Sequence, residues 1–144
     1  MAYNNNELVR FLDAQNKLYL SALSEIKKGK KESPWMWFIF PQIKGLASCD
    51  TSKFYEIKNV DEAIAFLEHP ILGKHLKEIT AELIRTDEKT AEEIFGNPDN
   101  EKLQSCMTLF ASIQNSEPIF EEVLDKYFDG SSDFHTLQLL YSNF

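Results

Sequence analysis

Leu8, Phe11, Leu12, Leu18, Tyr19, Ala22, Leu23 and Ile26 recur at spacings of three and four, with one polar member, Gln15, inside the row. That period places them on one face of a helix. Asn5 or Asn6 can cap its start, and Gly29 can end it just past Lys27 and Lys28. An amide on the core side needs hydrogen-bond partners or a wet cavity, unless Gln15 sits at the edge of the stripe and reaches water. Ser33-Pro34 then ends any helical tendency, because proline disfavours the helical conformation in the residue before it. Trp35-Met36-Trp37-Phe38-Ile39-Phe40 follows, closed by Pro41-Gln42. Alternation would put Trp35, Trp37 and Ile39 on one side and Met36, Phe38 and Phe40 on the other. The run reads as a strand buried on both faces or an extended stretch wedged between helices, with a short helix as the other option. Each aromatic ring buries on the order of 150–250 Å², so the segment belongs to the core.

Beyond the Gly45 loop, Asn59-Val60-Asp61-Glu62 has the form of a capping box, opening a helix that runs to His69. Pro70 stops it and can begin the next, whose stripe is Leu72, Leu76, Ile79, Leu83 and Ile84. Thr90-Ala91-Glu92-Glu93 is a second box, opening a short helix that Gly96 ends. Asn97-Pro98 reads as cap and first-turn proline of a longer helix with Leu103, Cys106, Met107, Phe110 and Ile113 inside. Ser116-Glu117-Pro118 starts another, burying Ile119, Phe120, Val123, Leu124 and Tyr127 and ended by Gly130. Phe134 to Tyr141 supplies a last turn or two. The expectation is an all-α fold, a single domain over residues 1–144, with about six or seven helices and one extended aromatic segment.

Composition narrows the class. A chain of 144 residues suits one domain, and 43% hydrophobic with 26% charged residues excludes disorder and coiled coil. The six-residue apolar run is far short of the roughly 20 residues that cross a bilayer. Met1 to Asn6 has neither a basic nor an apolar region, so no signal peptide is expected. Cys49 and Cys106 form no CxxC, which excludes a disulfide scaffold and the usual zinc spacings. A cytoplasmic protein is expected. Net charge is −8, divided as +3 over residues 1–58 and −11 over residues 59–144. An acidic half of that size repels phosphate backbones, so duplex nucleic acid is not an expected partner, and neither is a membrane. Lys27-Lys28-Gly29-Lys30-Lys31 is either a solvated helix end or an anion-attracting rim beside an aromatic pocket.

No GxGxxG, Walker loop, HExxH or GxSxG is present. His69, His75 and His135 lack metal-ligand spacing, and His75 with Glu78 one turn on reads as a surface pair, so neither metal nor cofactor is expected. Two places can carry chemistry. Trp35 and Trp37, each with an indole N–H needing a partner, can wall a planar ligand such as a nucleobase, or can be plain core. On the helix opened by Pro98, Asp99, Lys102, Ser105 and Thr108 fall along one face near a helix N-terminus that favours anions. The other reading of that face is a solvated Asp–Lys pair.

The string Trp35 to Gln42 with Gly45-Leu46 and Ser48 resembles the hallmark of a bacterial family of unknown function, number 1810. Arg10-Phe11, Ala14-Gln15, Glu62-Ala63, His69-Pro70, Leu72-Gly73, Phe95-Gly96, Pro98-Asp99, Lys102-Leu103 and Met107-Thr108-Leu109-Phe110 extend the resemblance over nearly the whole chain. Members are sometimes called calpastatin-like, although nothing here resembles a disordered protease inhibitor. The chain departs from the family at Pro34, where a histidine is usual. The resemblance implies an all-helical fold grouped with YbiA-like proteins and, more distantly, with NADAR domains linked to N-glycosidic bond hydrolysis on nucleotides or ADP-ribose adducts.

Two functions follow as expectations. The first is a nucleotide- or ADP-ribose-related N-glycosidase. In it Trp35 and Trp37 border a base or ribose, Gln15 and Gln42 read polar edges, and Lys102 faces phosphate. Ser105 and Thr108 complete the polar track, and Asp99 activates water or stabilises oxocarbenium-like charge. The second is a non-catalytic binding module for a small molecule or a basic protein partner, with the aromatic string purely core. The first requires Gln15, the indoles, Asp99 and Lys102 to meet at one solvent-reachable hollow.

Overall fold

The computed structural model describes residues 5–142, and among them a 3₁₀ turn (Asn5–Leu8) leads into nine α-helices and no strand. In chain order these are α1 (Val9–Lys28), α2 (Met36–Ile39), α3 (Asp50–Phe54), α4 (Val60–Glu68), α5 (Leu72–Arg85), α6 (Ala91–Phe95), α7 (Asp99–Ala111), α8 (Ile119–Phe128) and α9 (Phe134–Tyr141). The all-α expectation holds. The two helices beyond the seven read from the sequence are α2 and α3, of four and five residues, too short to show a hydrophobic period.

The apolar stripes are the faces the helices bury. In α1 these are Phe11, Gln15, Tyr19, Ala22 and Ile26, and Gly29 closes the helix at φ +80° with its N–H on the carbonyls of Glu25 and Ile26. Leu8 holds the position before α1 with no side-chain cap, and the capping expected of Asn5 or Asn6 concerns side chains outside the described residues. A row of ring contacts, one T-shaped and two tilted, runs through the middle. Phe11 meets Phe66 at 5.0 Å, Phe66 meets Phe110 at 5.6 Å and Phe110 meets Phe120 at 5.7 Å, joining α1, α4, α7 and α8. α5 lies between α1, α4 and α8. It approaches α4 so closely at Gly73 that a β-carbon there would stand 1.9 Å from the Leu67 carbonyl oxygen. Only glycine fits.

Four local readings change, the first being that Asn97 does not cap α7, since Pro98 stands just before the helix with no side-chain cap. The aromatic run is one helical turn, not an extended segment: the Ile39 N–H bonds to the Trp35 carbonyl at 3.1 Å and Phe40 to Met36 at 3.0 Å. A turn of helix spreads its side chains around the axis, which serves a segment enclosed by core on several sides. The helix expected from Pro70 begins at Leu72, with the ring nitrogen Nδ1 of His69 accepting from the N–H groups of Ile71 (3.1 Å) and Leu72 (3.2 Å). At Asn59 only half of the capping box forms. Its Oδ1 accepts from the Glu62 N–H at 2.9 Å, but the Glu62 carboxylate turns away to Arg10 (2.8 Å). Thr90 and Glu93 form the full box.

Arg10 also ties down the long connection between α2 and α4. Its Nε donates to the Phe54 carbonyl at 2.8 Å and Nη2 to that of Glu56 at 2.7 Å. A lone bridge between Ile43 and Ile57 closes the loop at its base, with the Ile57 N–H on the Gln42 carbonyl at 2.8 Å.

Candidate functional site

Between α2, that loop, the first half of α7 and the start of α9 lies an open cavity of about 310 Å³. Trp37 of α2 is half-buried at one side, with Gln42 just beyond it. The loop contributes Ser48, Cys49 and Ser52, and α7 contributes Glu101, Lys102 and Ser105 after Pro98. Asp133 and His135, at the opening of α9, complete the wall.

Lys102 is the cation of the cavity. Its Nζ lies 5.3 Å from the Trp37 ring centroid and 3.2 Å from Asp99 Oδ1. Asp99 Oδ2 is 3.0 Å from Lys31, whose own Nζ stands 5.2 Å from the Trp35 ring. One carboxylate thus joins two ammonium groups, each beside an indole. Of the run Lys27 to Lys31, none lines the cavity; Lys31 reaches Asp99 behind it.

Each expected site residue has a definite place. Trp37, Gln42, Lys102 and Ser105 line the cavity together. Ser105 is buried and donates to the Glu101 carbonyl at 3.2 Å. Thr108 is behind the wall; its Oγ1 donates to the Gln104 carbonyl and accepts from the Asp133 N–H, both at 2.8 Å, so it fastens the start of α9 to α7. Asp99 is also outside the lining, with both oxygens on lysines. Gln15 is 3% exposed and bonded at both ends, to the Phe38 carbonyl and to His75 Nδ1, each at 2.8 Å. Trp35 is fully buried and packs on Phe40 and Phe95. Its indole N–H donates to Glu25 at 2.8 Å. The two indoles that alternation placed side by side therefore part company.

The wall also holds chemistry that no local pattern marked. Cys49 is exposed, and its Sγ lies 3.1 Å from Ser52 Oγ. The Ser52 hydroxyl and backbone N–H, with help from Thr51 N–H and Lys102, hold its thiol below the ordinary value, against a small opposing effect of burial. Glu101, Asp133 and His135 bring two carboxylates and an imidazole to the same hollow. Asp133 follows a helix-start signal, since its Oδ2 accepts from the Thr136 N–H at 2.9 Å, but nothing local ties that start to α7. Among the described residues no group of three or more His, Cys, Asp or Glu is arranged to hold a metal ion. A wider groove of about 800 Å³ between α4, α5 and the turn before α8 is lined by Lys74, Lys77 and Glu117. His69 in it is already committed to two backbone N–H groups, and it offers no Trp, Tyr or Phe face. The smaller cavity is therefore the better candidate, because it alone of the two sets a cation against an aromatic ring.

These features define an all-α protein with an amphiphilic cavity where four chain segments meet. A family model described as "Protein of unknown function (DUF1810)" matches residues 5–140, and the chain belongs to that family. It is similar over 95% of its length to the crystal structure of the conserved hypothetical protein Rv1873 from Mycobacterium tuberculosis, with 41% identity, 98% of that chain covered and a TM-score of 0.92. Comparison with curated proteins finds no match. No helix among the described residues is long and apolar enough to cross a membrane.

Proposed function

We propose that the cavity binds a nucleotide-like small molecule, with a planar ring against Trp37, an anionic group on Lys102 and a polar ring edge on the Gln42 amide. The observation that carries this reading is the placement of the Lys102 ammonium 5.3 Å from the Trp37 ring inside an open hollow of about 310 Å³. That size is at the lower end of small-molecule sites, roughly 300–1,000 Å³, and suits one base–sugar unit. Stacking on an aromatic face is worth about 1–3 kcal/mol per base and is indifferent to base identity. The free thiols of Cys49 and Cys106 suit a reducing compartment, which favours the cytoplasm.

N-glycosidic hydrolysis is the second reading, favoured by Glu101, Asp133 and His135 lining one wall and by the resemblance to YbiA-like and NADAR domains. Hydrolysis needs one carboxyl group to activate water opposite the departing base and a group to protonate that base. Fold-level kinship alone assigns neither role.

Thermal shift and tryptophan emission with AMP, NAD, ADP-ribose and a ribosylamino-pyrimidine phosphate test the first reading. Chromatographic release of the free base tests the second. A ligand at about 100 times its Kd adds about 2.7 kcal/mol to stability, a rise of several degrees in Tm. No shift and no change in emission with any of the four would overturn binding. Binding without base release would leave a non-catalytic module.

A further inference from the structure

Gln15 interrupts the apolar stripe of α1, yet it lies outside the cavity and is sealed from solvent. Its hydrogen bonds explain its presence. The Phe38 carbonyl can only accept, so the end of Gln15 facing it is the amide NH₂, and the other end, Oε1, faces His75 Nδ1 at 2.8 Å. An oxygen there obliges His75 to carry its proton on Nδ1. The imidazole is itself fixed, stacked on the Tyr19 ring at 3.6 Å between centroids and 8° between planes, while the Tyr19 hydroxyl donates to Glu78. A continuous chain of directional contacts thus runs from α5 through α1 to the carbonyl of Phe38.

That carbonyl belongs to α2, a helix of four residues. So short an element leaves its last carbonyls without intrahelical partners and has little rigidity of its own. Phe38 follows Trp37 in one turn closed by the Ile39 N–H on the Trp35 carbonyl and the Phe40 N–H on that of Met36, so holding the Phe38 carbonyl orients the turn that carries the Trp37 side chain. We infer that Gln15 and His75 are positioning residues for the cavity: through the Phe38 carbonyl they set where the Trp37 ring stands beside Lys102. This goes beyond the ligand reading above, resting on it only in taking the cavity as the working site, and its test requires no ligand.

The test is ¹⁹F NMR of the full chain labelled with 5-fluorotryptophan, with the two resonances assigned by Trp37→Phe and a soluble gadolinium chelate reporting exposure. Trp35, buried and bonded to Glu25, is the internal control for an intact core. His75→Phe keeps a ring on Tyr19 and removes the donor, whereas His75→Asn keeps an amide donor near the Nδ1 position and removes the stack. The expected result is a shifted and more strongly broadened Trp37 signal in His75→Phe with Trp35 unmoved, and a Trp37 signal restored toward the native one in His75→Asn. Gln15→Met, of similar length and without either hydrogen bond, is the second variant and is expected to match His75→Phe. A native Trp37 signal in either donor-less variant, or equal movement of both tryptophans, overturns the inference. Failure of the wild-type protein to bind AMP, with these shifts present, counts against the ligand reading alone.

Discussion

The Asp99 carboxylate holds Lys102 at 3.2 Å while itself staying out of the cavity that Lys102 lines. Because the pair is partly exposed, its direct contribution to stability falls in the range of about 0.2–1 kcal/mol. Its value is positional: it fixes one end of a long, mobile side chain beside the Trp37 ring. Lys102→Met keeps most of the apolar stem and deletes the charge. The expected outcome is a loss of about tenfold in AMP affinity, or about 1.4 kcal/mol, by calorimetry, with stability changed by less than about 1 kcal/mol.

Asp99→Asn separates support from chemistry. If Asp99 serves only to hold Lys102 and Lys31, the neutral amide leaves base release and AMP affinity within about threefold of the native values. If it activates water, release falls by roughly 10²–10⁴. Rates measured beside binding constants for the same preparation tell the two apart.

Glu25 accepts from the Ser33 hydroxyl (2.6 Å), from the backbone N–H groups of Glu32 (2.6 Å) and Ser33 (2.8 Å), and from the Trp35 indole (2.8 Å). Burial by itself raises a carboxyl, but these four donors outweigh it and bring Glu25 down from an ordinary 4.5 to about 2. A carboxyl depressed in the folded state stabilises above its unfolded value and loses that contribution as pH falls from about 4.5 toward 2. Glu25→Gln is expected to cost about 1–3 kcal/mol at pH 7, and its difference from the native protein in urea denaturation should shrink steadily below pH 4.5.

His75 acts on the same acidic arm of the pH curve, but at higher pH. Burial lowers its pKa from the ordinary 6.5, Glu78 opposes the change and Lys74 adds to it. A histidine depressed in the folded state favours folding when neutral, so this contribution is intact above about pH 6.5 and declines as pH drops through that value. Thermal melts between pH 8 and 5 should fall more steeply for the native protein than for His75→Asn.

Gly73→Ala sets a β-carbon against backbone rather than against a side chain that can swing away. The expected cost is roughly 1–3 kcal/mol from forced separation of α4 and α5, read as a lower urea midpoint with unchanged slope.

How much of this was legible depended on length. The stripes of α1, α5 and α7 span three turns or more, and the buried residues found there are largely those the spacing named. Four residues at α2 carry no period, so nothing in the sequence decided between an extended run and a short helix, and the alternation of the extended reading put Trp35 and Trp37 on one side. Along a helix two residues differ by roughly 200°, which sends Trp35 into the core and Trp37 to the cavity. The polarity of Gln15 was visible, but its partners Phe38 and His75 lie 23 and 60 residues away, beyond any local rule. For the same reason Lys102 and Ser105 could be nominated from one helical face, whereas Cys49 and His135 could not be joined to them.

The wall carrying Cys49 and Ser52 differs in kind from the one opposite. α3 buries none of its residues, and the Arg10 guanidinium grips the chain beside it by main-chain oxygens, which every amino acid possesses. The exposed side chains of Asp50, Thr51 and Lys53 are consequently replaceable at little energetic penalty, while Tyr55 packs on Phe11 and Phe38, and Trp37 stands on a turn whose neighbours Met36, Phe38 and Ile39 are buried. A scaffold so divided can trade one selectivity for another by altering the outer loop, leaving its aromatic and cationic grip intact.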